Sequence, residues 1–275
     1  MTPLAFHLRA SLADRRVIAP TTQEQRILAR AVLEAARPYP LIAFRAADNH
    51  LHLLAACCRE WCGKLLRYAS SSIRQRLRLP VPFGAPHFEP VRDQRHLVNA
   101  FHYQLRQDDR HDVDLDPWAE ASNLPDLLGL RPLGRYTAAN VARWLPRIQP
   151  AQLLARFGIE PDQLLHGPLP RESFHLLADA AAAAASLPSL EGRSDEVVQA
   201  RRAAVHVASG HLTGPEVATL LGASLRTVRR LHATPAPPDL VDALRRQLRL
   251  RTYGHPSARH LERSRFPLGD AIAGG

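Results

Sequence analysis

A chain of 275 residues, 45% hydrophobic and 23% charged, can bury a core and is too apolar to be disordered throughout. Its length suits two domains. No apolar run is long enough to span a bilayer, and the first residues lack the layout of a signal peptide, so a cytoplasmic protein with no membrane partner is expected. The formal net charge of +10 favours polyanionic partners, phosphate backbones above all. Part of that charge has another source: Lys64 is the only lysine, and the abundance of arginine, alanine and proline follows the composition of a GC-rich genome.

Residues 4–18 read as a first strand and loop, around Leu4-Ala5-Phe6-His7-Leu8 and Val17-Ile18. Thr22 is the expected cap of a first helix, with Thr22-Gln23-Glu24-Gln25 in capping-box form. Ile27, Leu28, Ala31, Val32 and Ala35 then keep helical spacing as far as Arg37-Pro38. Pro40 to Arg45 and His50 to Ala55 read as strands, and 58–78 as a basic helix carrying Trp61, Leu65, Leu66, Ile73 and Leu77. Pro80 to Pro90 reads as a proline-rich loop. Residues 95–106 are helical, with Leu97, Val98, Phe101 and Leu105 on the apolar face. Cys57, Cys58 and Cys62 are odd in number and are placed on a helix, where neighbours point in different directions. They read as small buried side chains rather than as a zinc site or a disulfide framework.

Two patterns carry chemistry. On a strand, residues i and i+2 share a face, so His50 and His52 can grip one divalent cation while Leu51 and Leu53 face the core. The pair alone is a weak signal, and its spacing by itself reads more readily as two polar residues on a solvent-facing edge strand. Tyr103 and Gln107 are four apart on a helix and share a face. A phenol and a carboxamide beside two histidines suit phosphoryl transfer. His50, His52 and Gln107 would hold Mg²⁺ or Mn²⁺, and Tyr103 would attack a phosphate to form a phosphotyrosine.

These residues resemble a known family. Ala47-Asp48-Asn49-His50-Leu51-His52-Leu53-Leu54 is similar to the Asn-His-hydrophobic-His-hydrophobic strand of the single-tyrosine HUH transposases, especially their REP-associated branch. Val91-Arg92-Asp93-Gln94-Arg95-His96-Leu97 through Tyr103 resembles that family's tyrosine helix. Asp116-Pro117-Trp118-Ala119-Glu120-Ala121-Ser122 through Leu127-Leu128-Gly129 resembles the Trp-Ser-Ser segment that follows it. Arg9 and Arg15-Arg16-Val17-Ile18 fit the opening, and the resemblance spans about residues 4–135. It implies an α+β fold: a ferredoxin-like nuclease domain with a central antiparallel sheet, followed by an all-α helix-turn-helix domain. It also implies cleavage and transfer of hairpin-forming single-stranded DNA through a 5′-phosphotyrosine, with His50, His52 and Gln107 as metal ligands and Tyr103 as nucleophile. Many relatives read Tyr-Ile-x-x-Asn-Pro, where this chain has Tyr103-Gln104-Leu105-Arg106-Gln107-Asp108-Asp109. Asp108 and Asp109 are the alternative ligands to Gln107.

The second half differs in character. The expected organisation is a catalytic domain over 1–135, a helical connector over 136–190, a helix-turn-helix over 191–234 and a basic tail over 235–275. Residues 136–190 are rich in alanine and leucine, with Arg156-Phe157-Gly158 ending one helix and an alanine run at 180–185 that reads as plain helix. Thr213-Gly214-Pro215-Glu216 is a capping box, Gly222 suits a left-handed turn and Ser224 caps the helix after it. Val228 and Leu231 face inward. Ser224, Arg226, Thr227, Arg229 and Arg230 are the candidate contacts to duplex DNA in a major groove. The same module, with a solvated basic face, also suits protein docking. Beyond Pro235-Ala236-Pro237-Pro238 a short helix and a phosphate-binding tail are expected, with Arg245, Arg246, Arg249, Arg251, Arg259, Arg263 and Arg265 against Glu262. The function is thus expected to be a transposase-type nuclease, with a replication initiator close to it. The alternative is a catalytically inactive, sequence-specific DNA-binding regulator. Nothing in the sequence decides the oligomeric state.

Overall fold

The computed structural model describes residues 2–106 and 116–254. The first half runs strand, helix, strand, strand, helix, strand, helix: β1 (Ala5–Ser11), α1 (Thr22–Ala36), β2 (Leu41–Ala47), β3 (His50–Ala55), α2 (Arg59–Leu77), β4 (His87–Val91) and α3 (Gln94–Leu105). The four strands form one antiparallel sheet in the order β2-β3-β1-β4. The fold class is therefore α+β around an antiparallel sheet, as expected.

The period of two along the strands separates the sheet's faces. Leu8, Ala10, Phe44, Ala46, Leu51, Leu53 and Ala55 enter one core with Leu28 and Val32 of α1 and Leu65 and Ile73 of α2. Ala5, Ala43, Leu54 and Val91 pack on the other side with Leu97, Phe101 and Leu105 of α3. Asp48-Asn49 is a two-residue hairpin loop, since Ala47 pairs with His50, and Asp48 takes a φ of 54°. That loop locks the register that separates His50 and His52 from Leu51 and Leu53.

Three local expectations are corrected. The first helix is capped by Thr21, not Thr22: Thr21 is extended, and its hydroxyl accepts the Glu24 N–H at 3.2 Å. The segment from Pro80 to Pro90 is not all loop, because β4 lies within it. β4 pairs only with β1, at the sheet edge, where Pro90 lacks no required ladder donor. Cys57 and Cys58 precede α2, with Cys58 extended at the cap position; Cys62 alone is helical and buried.

The β2 edge is covered by residues 121–123. Ala46 N–H bonds to Ala121 O, and Asn123 N–H to Phe44 O. The Asn123 side chain, fully buried, accepts the Phe44 N–H at 3.1 Å and donates to Ile42 O at 2.9 Å. This closes an edge that would otherwise present unpaired backbone groups. Asn123→Ala leaves both groups unsatisfied and is expected to cost about 1–3 kcal/mol, measured as a shift of the urea unfolding midpoint at unchanged slope.

The rest is helical: α4 (Leu124–Leu127), α5 (Arg135–Trp144), α6 (Pro150–Leu154), α7 (Pro161–His166), α8 (Leu177–Ala184), α9 (Asp195–Ala208), α10 (Gly214–Leu220), α11 (Leu225–His232) and α12 (Pro238–Tyr253). Ala180 to Ala184 of the alanine run lie in α8 and are buried, with Ala185 half-buried at its C-terminal cap; Ala180, Ala181, Ala182 and Ala184 share a core with Ala200, Ala203, Ala204 and Leu244, where small side chains allow close helix approach. The helix after Pro238 is not short, and the arginines on it are not a free tail. Leu240, Leu244 and Leu248 of α12 fill the C-terminal core, while Leu250 enters the core under α3. Arg249 donates to Gly167 O at 2.7 Å, and Arg251 reaches Glu120 at 2.9 Å. Arg259, Glu262, Arg263 and Arg265 lie outside the described residues. Among the described residues no helix is long and apolar enough to cross a membrane.

Candidate functional site

Only part of the α3 side of the sheet is apolar. Toward the His50 end it carries His7 and Arg9 from β1, His50 and His52 from β3, and His87 and Glu89 from β4. The register explains the grouping: Arg9 sits opposite both His52 and His87, and His7 sits opposite Glu89. Paired residues share a face. Arg45 belongs to the same row, opposite His52 on β2, and is buried in an ion pair with Asp116 at 2.9 Å.

α3 brings Tyr103 onto this group. Asp93 caps the helix by accepting the His96 N–H at 2.8 Å, which starts it beside β4. Phe101 and Leu105 anchor it, and Tyr103, one helical face round, meets the histidines edge-on. Its ring centroid is 5.9 Å from that of His7 and 6.2 Å from that of His52. His50 and His52 have centroids 5.9 Å apart. Three of the four side chains expected to form the catalytic group are thus adjacent, and the fourth, Gln107, lies outside the described residues, as do Asp108 and Asp109.

The histidines are linked. His7 Nε2 is 3.1 Å from His52 Nδ1, and both rings are buried. His7 Nδ1 lies 3.4 Å from Glu89 Oε2, and Glu89 Oε1 lies 3.8 Å from His96 Nε2. Burial lowers the pKa of His7 below the ordinary imidazole value, against the opposing pull of Glu89. Burial, with Arg106 nearby, lowers His102 in the same direction.

The donor chemistry fits a divalent cation. His52 offers a ring nitrogen donor set beside that of the partly exposed His50, with its Nδ1 lying against His7. A cleft of about 430 Å³ opens at this end, lined by Ser11, Arg15, Asn49, His50 and Gly84. Its size is in the range of ligand-binding clefts.

The second candidate surface is on α9 to α11. α10 and α11 are joined by a tight turn in which Gly222 has a φ of 56°. Thr213 and Glu216 form the capping box of α10, and hydrogen bonds from Thr213, with Arg171 adjacent, hold the Glu216 carboxyl down at about 2. Ser224 caps α11 by accepting the Thr227 N–H at 3.2 Å. Val228 and Leu231 are buried, while Arg226, Arg229 and Arg230 are exposed and Thr227 is half-buried.

His7, Glu89 and Arg9 were not evident as site residues in the sequence. For His7 and Arg9 the signal was the alternation Ala5, His7, Arg9, which marks one strand face; Glu89 lies on β4, within the segment expected to be loop. Joining it to His52 requires the β1–β3 register, which connects residues 45 apart. Comparison of the chain with protein-family models, with curated proteins and with solved structures finds no match.

Proposed function

We propose that this protein cuts and rejoins single-stranded DNA through Tyr103, in a cation-dependent reaction at the histidine face of the sheet. The observation that carries the reading is the meeting of Tyr103 with His52 and His50, from a helix and a strand about fifty residues apart in sequence. The strand order β2-β3-β1-β4, with α1 and α2 on one face, supports a ferredoxin-like domain. His50 and His52 would hold Mg²⁺ or Mn²⁺, with Gln107 as the expected third ligand; when bound, the ion polarises a phosphoryl oxygen. The Tyr103 oxygen attacks phosphorus and forms the phosphotyrosine bond. The leaving 3′-oxygen takes a proton and departs as a free hydroxyl, and attack by such a hydroxyl on the phosphotyrosine releases Tyr103 and rejoins the strand. Arg9, exposed between His52 and His87, would hold the strand's phosphates on this face.

The test is a covalent adduct. Hairpin-forming single strands labelled at either end are incubated with the full chain and Mn²⁺, and protein is resolved under denaturing conditions. Label retained from the fragment 3′ of the cut supports the reading, and no adduct with either label rejects it.

The second reading, a regulator without catalysis, is favoured by one observation: the exposed arginines of α11 stand on a module with its own packed core. In both readings α11 would enter the major groove of a duplex. Arg229→Ala or Arg230→Ala is expected to weaken duplex binding and to reduce the slope of log affinity against log salt by about 1 for each lost phosphate contact. A salt titration by fluorescence anisotropy measures both, and an unchanged slope would remove these residues from the interface.

A further inference from the structure

Cys57 and Cys62 take no part in the chemistry described above, yet their sulfurs face each other at 3.3 Å, just past the end of β3 that lies away from His50. We propose that Cys57 and Cys62 are a redox-active pair, oxidised by hydrogen peroxide to an intramolecular disulfide and returned to thiols by a dithiol reductant. The pair stands independently of the nuclease reading. It follows from how α2 starts. Cys58 is the extended N-cap, so Cys57 is the residue before the cap and Cys62 is the fourth residue of the helix. Side chains at these two positions pack together across a helix start. Both residues are thiols. Closing 3.3 Å to the ~2.05 Å of a disulfide takes a shift of about 1.3 Å, within reach of small side-chain rotations.

The two sulfurs are unequal. Cys62 is fully buried in the core that α1 and α2 share, whereas Cys57 is partly exposed and open to a small oxidant. The Cys62 S–H has two acceptors on Cys57, the sulfur at 3.3 Å and the carbonyl oxygen at 3.6 Å. The contact between the sulfurs lowers the pKa of the Cys57 thiol against the opposing effect of burial, and together with burial it pushes the Cys62 thiol up. Cys57 is therefore the attacking sulfur and Cys62 the resolving one. The Cys57 thiolate attacks one peroxide oxygen: an S–O bond forms, the O–O bond breaks, and the leaving hydroxide takes up the proton that Cys57 released. Cys57, oxidised by two electrons, becomes a sulfenic acid. The Cys62 sulfur then attacks the Cys57 sulfur; the S–S bond forms, the S–O bond breaks, and hydroxide leaves with the Cys62 proton as water. Two thiols and one hydrogen peroxide thus give one disulfide and two waters. A dithiol reverses the step by exchange through a mixed disulfide.

The full chain is reduced, freed of reductant, treated with hydrogen peroxide and blocked with N-ethylmaleimide before mass analysis. The expected product is lighter by two hydrogens and carries one blocked thiol, that of Cys58. Trypsin cuts after Arg59, so in the unreduced digest the bond should join the peptide ending at Arg59 to the one containing Cys62. Cys58→Ser, at an exposed position, should form the same cross-link at a rate within about twofold of wild type. Cys57→Ser should leave Cys62 as a thiol, with its oxidation slowed about 10-fold or more. Cys62→Ser should stop at a Cys57 sulfenic acid, captured by dimedone. If that buried substitution prevents folding, the wild-type map and Cys57→Ser decide the matter. Dithiothreitol should restore all three thiols of the oxidised wild type. A bond that includes Cys58, a bond between two chains, or three unbridged thiols after peroxide overturns the pair.

Discussion

Tyr103→Phe should abolish the covalent protein–DNA adduct and lower strand cleavage by roughly 10⁴–10⁶-fold, the scale of loss when a nucleophile is removed. The substitution deletes one oxygen and keeps the ring that sits edge-on to His7 and His52. Tyr103 is only half-buried, so the stability change should stay within about 1 kcal/mol. A large catalytic loss with little structural loss is what separates a nucleophile from a packing residue. The adduct is measured by intact mass and by label on denatured protein, and stability by urea unfolding of the same samples. A Tyr103→Phe protein that still forms the adduct at the wild-type rate would place the nucleophile elsewhere and reject the proposed function.

The largest effect on stability is expected from Glu120→Ala. Glu120 is 4% exposed and binds two guanidinium groups at once: Arg26 of α1 through 2.5 and 3.0 Å contacts, and Arg251 of α12 at 2.9 Å. Asp179 of α8 joins from the partly exposed side, at 2.6 Å from Arg26 and 3.3 Å from Arg251. Burial pushes the Asp179 carboxyl up, but the two arginines outweigh it and hold the group below its ordinary value. Removing Glu120 leaves Arg26, 2% exposed, with Asp179 as the remaining carboxylate within contact distance. Breaking a buried pair in this way costs about 3–5 kcal/mol, because the surviving charge stays desolvated. In a protein of this size that lowers the thermal midpoint by roughly 10 °C. Since the network ties α1, α8 and α12 together, loss should also loosen the α12 amides, read by hydrogen exchange. A Glu120→Ala protein with an unchanged melting curve would mean that the ion network adds nothing to stability.

Much of the first half was legible because its periods are strong. Alternation over His50 to Ala55 separated two histidines from Leu51 and Leu53, and helical spacing located α1, α2 and α3. β4 was obscured by Pro82, Pro86 and Pro90, since an edge strand tolerates prolines that a central one would not. Arg251 looked like tail charge, because a run of arginines reads the same in sequence whether solvated or paired. Its partners, Glu120 and Asp179, are 131 and 72 residues away.

The sequence alone determined the local elements, the shared face of His50 and His52, the caps Thr213 and Ser224 and the outward arginines of α11. All of these depend on spacings within one or two turns, where backbone geometry is fixed by chemistry. The tertiary structure decided which elements meet. It set Tyr103 against His52, added His7 and Glu89 behind that histidine, and closed the β2 edge with Asn123. Those contacts depend on strand register and helix packing across tens of residues, and such pairings leave no periodic trace in the chain.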